Sequence, residues 1–201
     1  MPQLPQHAFH FADAANWESI QREGLLSPDA LLRRRRFTVD VEKEVRSFRP
    51  RGITLPDGGY IRDQAPMPPA ALAKSLDAGL TSRDWYDLVN SCVFFWLDET
   101  RVANHRRALR DRMQFLLTID VAALRKTYES IMYVTPFNCG YALRKAAPRG
   151  RATFVPITRW QLDGWKYEKR DRGAAHKPAE LVLMGNVPDL KKYVVSVEKI
   201  A

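Results

Sequence analysis

Cysteine is scarce in this 201-residue chain, which contains Cys92 and Cys139 and no others. Two thiols are too few for a disulfide framework or a cysteine-based zinc site, so both are predicted to be reduced packing residues. No window approaches 18 uninterrupted apolar residues, which argues against a membrane-spanning helix and a membrane partner. The first residues have neither the basic nor the apolar region of a secretory leader. The sequence therefore predicts a cytoplasmic protein.

Several familiar site motifs are also missing. The chain has no G-x-G-x-x-G and no G-x-x-x-x-G-K-[ST], so neither a Rossmann fingerprint nor a P-loop is indicated. Its four histidines lie far apart without the spacing of metal ligands, so we expect no metal site. A G-x-S-x-G elbow for a serine nucleophile is absent too. Chemistry in this chain would therefore depend on groups brought together by the fold.

What the chain does contain is enough apolar material for a core, since 45% of its residues are hydrophobic. Short apolar stretches alternate with helix caps such as Asp13, Ser27, Thr81, Asp98 and Asp120. Helices do not follow every strand, which favours an α+β fold with a twisted, mostly antiparallel sheet and flanking helices. We expect one domain over residues 1–201, with an ordered loop at 37–70, a helix at 99–111 and an irregular stretch from 157 to 177.

Positive charge is concentrated in the second half. Residues 1–100 carry 12 Lys and Arg against 14 Asp and Glu, which leaves 20 basic and 9 acidic residues for 101–201. Segments 101–112 and 144–177 hold most of the excess, and aromatic residues are interleaved with the cations of the second. Cations bind phosphates and aromatic faces stack on bases, so this composition suits nucleic acid. A solvated basic face is the equally weighted alternative.

Three places put polar groups where a simple core does not need them. His10 lies inside the early strand Phe9-His10-Phe11, and Arg62-Asp63-Gln64 follows a Gly-Gly turn. Glu180 opens an otherwise apolar strand directly after the basic aromatic segment. Taken singly, each fits an ordinary structural role: a satisfied histidine, a solvated turn and a surface glutamate.

Two segments at opposite ends of the chain carry a family resemblance. The pattern F-H-F-x-D-x-x-N-W-x-S-I-x-x-x-G-L-L-S at 9–27 resembles the opening of ADP-ribosyltransferase-fold proteins, especially DarT-type DNA ADP-ribosyltransferases of toxin–antitoxin systems. The stretch P-A-E-L-V-L-M-G-N-V-P-D-L at 178–190 resembles the segment in which that family places its catalytic glutamate. The resemblance implies an NAD-dependent glycosyltransferase that modifies nucleic acid, with DNA favoured over RNA, as a toxin or defence effector with a possible antitoxin partner.

The resemblance also implies residue roles. Glu180 would contact the nicotinamide ribose and stabilise an oxocarbenium-like transition state, His10 would hold a ribose of NAD, and Arg62 would engage the diphosphate or orient the acceptor. Many family members stack a tyrosine on nicotinamide, where this chain offers Phe94, Phe95 or Trp96. The expected catalytic residues are Glu180, His10 and Arg62, and the expected NAD-binding residues are His10, Phe11, Arg62, Gln64, Phe95 and Asn138. The expected nucleic-acid contacts are Arg149, Arg151, Trp165, Lys166, Lys169 and Arg170.

Three alternatives remain open at the level of sequence. An RNA 2′-phosphotransferase with the same fold would use arginines and a histidine rather than a glutamate. A non-catalytic nucleic-acid-binding module on this fold would not need Glu180 at all. A protein acceptor also fits, because a cationic surface attracts acidic proteins as well.

Overall fold

The computed structural model describes residues 3–109, 111–173 and 175–200. Over these residues the chain forms nine strands and eight α-helices. In chain order they are β1 His7–Asp13, α1 Trp17–Glu23, α2 Pro28–Arg35, α3 Val39–Arg46, β2 Ile53–Thr54, β3 Tyr60–Ile61, α4 Pro69–Ala73, α5 Ser82–Asn90, β4 Val93–Trp96, α6 Glu99–Ala108, β5 Gln114–Asp120, α7 Val121–Tyr128, β6 Met132–Thr135, β7 Val155–Pro156, α8 Ile157–Asp163, β8 Glu180–Leu183 and β9 Val194–Ile200.

Seven strands form one sheet in the order β7-β6-β8-β4-β1-β5-β9, and every strand pair in it is antiparallel. The predicted α+β class and mostly antiparallel sheet are thus confirmed. Apolar side chains from the sheet pack with α1, α7 and α8 into the main core, which includes Leu117, Ile119 and Leu181. No helix among the described residues has the length and apolarity needed to cross a membrane.

Strands β1 and β4, which are neighbours in the middle of this sheet, diverge after a single residue pair. β1 pairs with β5 over seven residues, from His7–Asp120 to Asp13–Gln114, whereas β1 and β4 share the single pair Phe9–Trp96. The sheet therefore consists of two halves, β7-β6-β8-β4 and β1-β5-β9, that diverge beyond one contact. A split of this kind leaves backbone and side chains in the centre of a sheet accessible to a ligand.

The segment predicted as an ordered loop at 37–70 covers this split, and it is more regular than expected. It contains α3 and the hairpin of β2 and β3, and its apolar residues join α2 in a separate small core. The helix was missed because α3 has only two buried or half-buried valines, Val41 and Val45, among charged residues. Packing of these valines with Leu32 and Ile61 stabilises a helix that the residue pattern of α3 alone did not indicate.

Two other boundaries differ from the prediction. The stretch expected to be irregular after Pro156 begins with α8, whose Ile157 and Trp160 are buried. The sequence prediction described this stretch as basic and irregular, but tertiary burial of these two side chains stabilises a helix at its start. The helix expected at 99–111 is capped by Asp98 as predicted and ends at Ala108. Arg110 lies outside the described residues.

Candidate functional site

A cavity of about 390 Å³ opens where β1 and β4 diverge. Residues 9–13 of β1 and 92–96 around β4 form two of its walls, and the covering segment adds residues 60–64. Asn138 and Gly140, from the loop after β6, and Glu180, at the start of β8, lie on the same cavity. Its volume falls within the range of small-molecule binding sites.

The residues predicted as catalytic or NAD-binding all line this one cavity. They come from five separate parts of the chain that the fold brings together: His10, Phe11, Arg62, Gln64, Phe95, Asn138 and Glu180. Convergence of polar groups from distant positions on one concave surface is what a binding site requires. Their individual geometry decides what could bind there.

Glu180 is a buried carboxylate of the site, with 4% of its surface exposed. Its Oε2 accepts hydrogen bonds from Thr135 Oγ1 at 2.8 Å and from the backbone N–H of Cys139 at 3.0 Å. Burial raises the pKa of Glu180, and these two donors oppose that rise. Among the described residues both donors bond Oε2, so Oε1 is the oxygen left for a ligand hydroxyl.

His10 presents a hydrogen-bond acceptor to the cavity. Its Nδ1 lies 2.8 Å from the carbonyl oxygen of Phe94, which can only accept, so Nδ1 carries the proton. Burial lowers the pKa of His10, which favours the neutral ring. Neutral His10 with a protonated Nδ1 leaves Nε2 as an acceptor, and a ligand group bound there must donate.

Arg62 supplies the positive charge. Its Nη1 lies 2.6 Å from Nε2 of His105, and burial lowers its pKa. The two carboxylates whose charge acts on it are bonded elsewhere: Asp63 accepts from the backbone N–H of Ala65, and Asp13 accepts from Arg112. In the described part of the chain no carboxylate lies within ion-pair distance of Arg62. An anionic group is the natural counterpart of such a cation.

Gln64 and the aromatic residues complete the lining. Gln64 Oε1 accepts from the backbone N–H of Arg49 at 3.2 Å, while its Nε2 is buried without a partner among the described groups. Phe95, the residue predicted to face nicotinamide, is 1% exposed and packs in the main core. Trp96, half-buried beside Glu180 in the register of β4 and β8, offers a more accessible aromatic face.

The predicted nucleic-acid contacts separate into buried and exposed residues. Arg149 is 1% exposed and Trp165 is 4% exposed, and both form hydrogen bonds inside the protein. Buried side chains cannot grip a phosphate or stack on a base, so these two assignments do not fit the structure. Arg170 is tied to Asp77 and Glu168, whereas Arg151, Lys166 and Lys169 are exposed.

Sequence reasoning missed three contributors to the cavity: His105, the Thr135 hydroxyl and the Cys139 backbone N–H. A signal for His105 was present, because Val102, His105 and Leu109 recur at the spacing of one helix face. Val102 and Leu109 pack beneath Phe11, so the histidine lies on the inner side of α6. The other two were not detectable, because Thr135 reaches Glu180 through the register of β6 against β8 and the Cys139 N–H depends on the path of the loop after β6.

The fold and the cavity together define an α+β protein with a candidate small-molecule site at a split between antiparallel strands. The chain belongs to DUF7002, described as a family of unknown function, whose sequence profile matches residues 6–194. No curated protein and no protein of solved structure matches the chain.

Proposed function

We propose that this protein is an NAD-dependent ADP-ribosyltransferase with the ADP-ribosyltransferase fold, acting on a nucleic acid, plausibly DNA, as a toxin or defence effector. The observation that carries the proposal is the chemical complementarity of the cavity. His10 Nε2 and the Glu180 carboxylate accept hydrogen bonds, and Arg62 attracts an anion. A ribose with free hydroxyls joined to a phosphate offers those groups to one cavity.

The position of Glu180 suits cleavage of a glycosidic bond. NAD supplies an electrophilic sugar carbon, because its bond to nicotinamide breaks with the electron pair leaving on nicotinamide. Positive charge grows on that carbon in the transition state, and a carboxylate held in a poorly solvated site stabilises it more there than in the ground state. Thr135 and Cys139 hold Oε2, which fixes the carboxylate before the charge develops.

A nucleic acid is the favoured acceptor because of the exposed cations on the chain before Glu180. Arg151, Lys166 and Lys169 are exposed, and among the described residues none of the three forms an ion pair. They are therefore free to contact phosphates, whereas Arg170 and Arg172 are committed to Glu168. The attacking atom of the acceptor gives up its proton to solvent as it bonds to the sugar carbon.

The direct test is to incubate the purified chain with NAD labelled in the adenosine moiety and with single-stranded DNA, duplex DNA, RNA or a protein lysate in separate reactions. We expect label on a nucleic acid and release of free nicotinamide. Label on protein alone would mean that the acceptor is a protein and not a nucleic acid. Intact NAD in every reaction would overturn the proposal.

The exposed lysines give a prediction about acceptor binding. Replacing Lys166 and Lys169 together by Ala should lower affinity for DNA about tenfold near 0.1 M salt and reduce the slope of log K against log salt by roughly two. Fluorescence anisotropy across a salt series measures both. The matched control replaces Lys126 and Lys191, which are equally exposed on other elements. Equal losses of DNA affinity in the two double variants would mean that binding depends on total positive charge and not on a defined surface.

The Thr135 hydrogen bond gives a prediction about pH. The ionised form of Glu180 is the active one, and burial raises its pKa, so activity should rise with pH through a value above that of an ordinary glutamate. Thr135→Val removes a donor that lowers this pKa, and the acid limb of the NAD-cleavage profile should move to higher pH. Thr118→Val, on β5, should leave the limb in place. An unmoved limb in Thr135→Val would contradict the role of Glu180 as the titrating group.

A further inference from the structure

His105 lies on the inner face of α6 and contacts Arg62, another side chain that lines the cavity. Its ring is fixed by an edge contact with Phe11, with ring centroids 4.9 Å apart, and by Trp96 at 5.3 Å. Val102 and Leu109, on the same face of the helix, pack against the sheet beside it. A ring held on several sides has little freedom to turn, so the direction of its Nε2 is set by the fold.

The contact of His105 with Arg62 has a defined polarity. A guanidinium can only donate, so Nε2 accepts from Arg62 Nη1 over 2.6 Å and the ring proton lies on Nδ1. Burial, followed by the charges of Arg62 and His10, lowers the pKa of His105 to about 3. The partner of Arg62 is therefore neutral throughout the physiological range.

A neutral partner has a consequence that a carboxylate would not have. A carboxylate partner would fix the guanidinium and cancel its charge together. An imidazole acceptor fixes one Nη while leaving the charge uncompensated. The remaining donors of the guanidinium are then available to a planar pair of oxygens on a ligand.

We propose that His105 is a positioning residue that holds the guanidinium of Arg62 in the cavity as an unneutralised cation for a phosphoryl group of the ligand. The proposal rests on the proposed function only in taking that group to be the diphosphate of NAD. The pairing itself would serve any phosphate-bearing ligand. It also explains why a histidine occupies an otherwise apolar helix face.

Three substitutions separate the possible roles of His105. His105→Phe keeps an aromatic ring against Phe11 and Trp96 but removes the acceptor. His105→Gln restores a neutral acceptor, and His105→Glu supplies an acceptor that neutralises Arg62. A role in packing alone predicts that Phe is the mildest change, whereas positioning of an unneutralised cation predicts Gln as the mildest and Glu as the most harmful.

The experiment measures binding of inorganic diphosphate, ADP-ribose and NAD to the full chain by calorimetry, with Arg62→Met as the reference for loss of the cation. We expect His105→Phe to weaken diphosphate and ADP-ribose about tenfold, His105→Gln to recover most of that loss, and His105→Glu to fall to the level of Arg62→Met. Thermal unfolding without ligand confirms that each variant is folded. Asn104→Ala, on the exposed side of α6, should bind as the parent does.

The outcomes distinguish this proposal from the proposed function. One outcome is that diphosphate binding follows the expected order of the variants while NAD does not bind. This outcome would support the role of His105 and exclude NAD as the ligand. Equal affinities in the Phe, Gln and Glu variants would overturn the role of His105. Diphosphate that does not bind the parent chain at millimolar concentration would overturn it as well.

Discussion

Replacing Glu180 by Gln is expected to reduce ADP-ribosyl transfer at least about 1,000-fold while leaving the protein folded. Glutamine keeps the size of the side chain and an oxygen that accepts from Thr135 and Cys139, so the β8 terminus should not move. It lacks the negative charge that stabilises the developing positive charge on the sugar. Transfer of labelled ADP-ribose and release of nicotinamide, measured at saturating NAD, report the loss.

The same substitution should make the protein more stable near neutral pH. Burial raises the pKa of Glu180 above its value in the unfolded chain, so the folded state binds the proton more tightly and loses stability as pH rises through the folded pKa. Glutamine removes that loss. We expect the free energy of unfolding of Glu180→Gln to exceed that of the parent at pH 8, with the difference vanishing in acid.

Glu168 provides the matched control, because it is also a buried glutamate but lies away from the cavity. Its carboxylate is bonded by Arg172 and faces Arg170. Glu168→Gln should weaken those ion pairs and lower stability, while transfer by the folded fraction is retained. A Glu180→Gln variant that keeps parental activity would remove Glu180 from the mechanism and favour a binding module or phosphotransferase chemistry.

The main strands and helix caps were predictable from the sequence because their signals are local. Asp13, Ser27, Thr81, Asp98 and Asp120 each accept a hydrogen bond from the following turn, as their positions before helical patterns indicate. The apolar run before Asp98 became the interior strand β4. By contrast, α3 depends on contacts with α2 and the hairpin, which no window of its own sequence contains.

The candidate site was predictable in part for a different reason. His10, Arg62 and Glu180 were singled out as polar groups that a simple core does not need, and the family resemblance then assigned them to one site. The structure gathers all three around one cavity. Composition could not separate the buried cations of the basic segment from the exposed ones, because burial depends on the path of the chain after β6. Arg149 and Lys166 carry the same charge in the same segment, yet one is interior and the other solvated.

Arg149→Ala is expected to have the largest effect on stability, a loss of about 3 kcal/mol. The guanidinium donates to the carbonyl oxygens of Cys139, Tyr141 and Ala147 at 2.8 to 3.3 Å. It also lies 4.8 Å from the centre of the Phe137 ring. Alanine would remove these three hydrogen bonds and leave a void beside the ring, with Trp85 Nε1 remaining as a donor to the Cys139 carbonyl. Urea denaturation followed by tryptophan fluorescence measures the change.

Arg151→Ala is the control, because this arginine is two residues away and exposed, and its loss should alter stability by less than about 0.5 kcal/mol. The loop that Arg149 holds also carries the Cys139 N–H that bonds Glu180, so Arg149→Ala should reduce transfer as well as stability. If Arg149→Ala keeps the parental stability and binds DNA more weakly, Arg149 would belong to the nucleic-acid surface, as the sequence predicted. The expected result assigns Arg149 instead to the loop that orients Glu180, the proposed catalytic carboxylate, and leaves the proposed phosphate contacts to Arg151, Lys166 and Lys169.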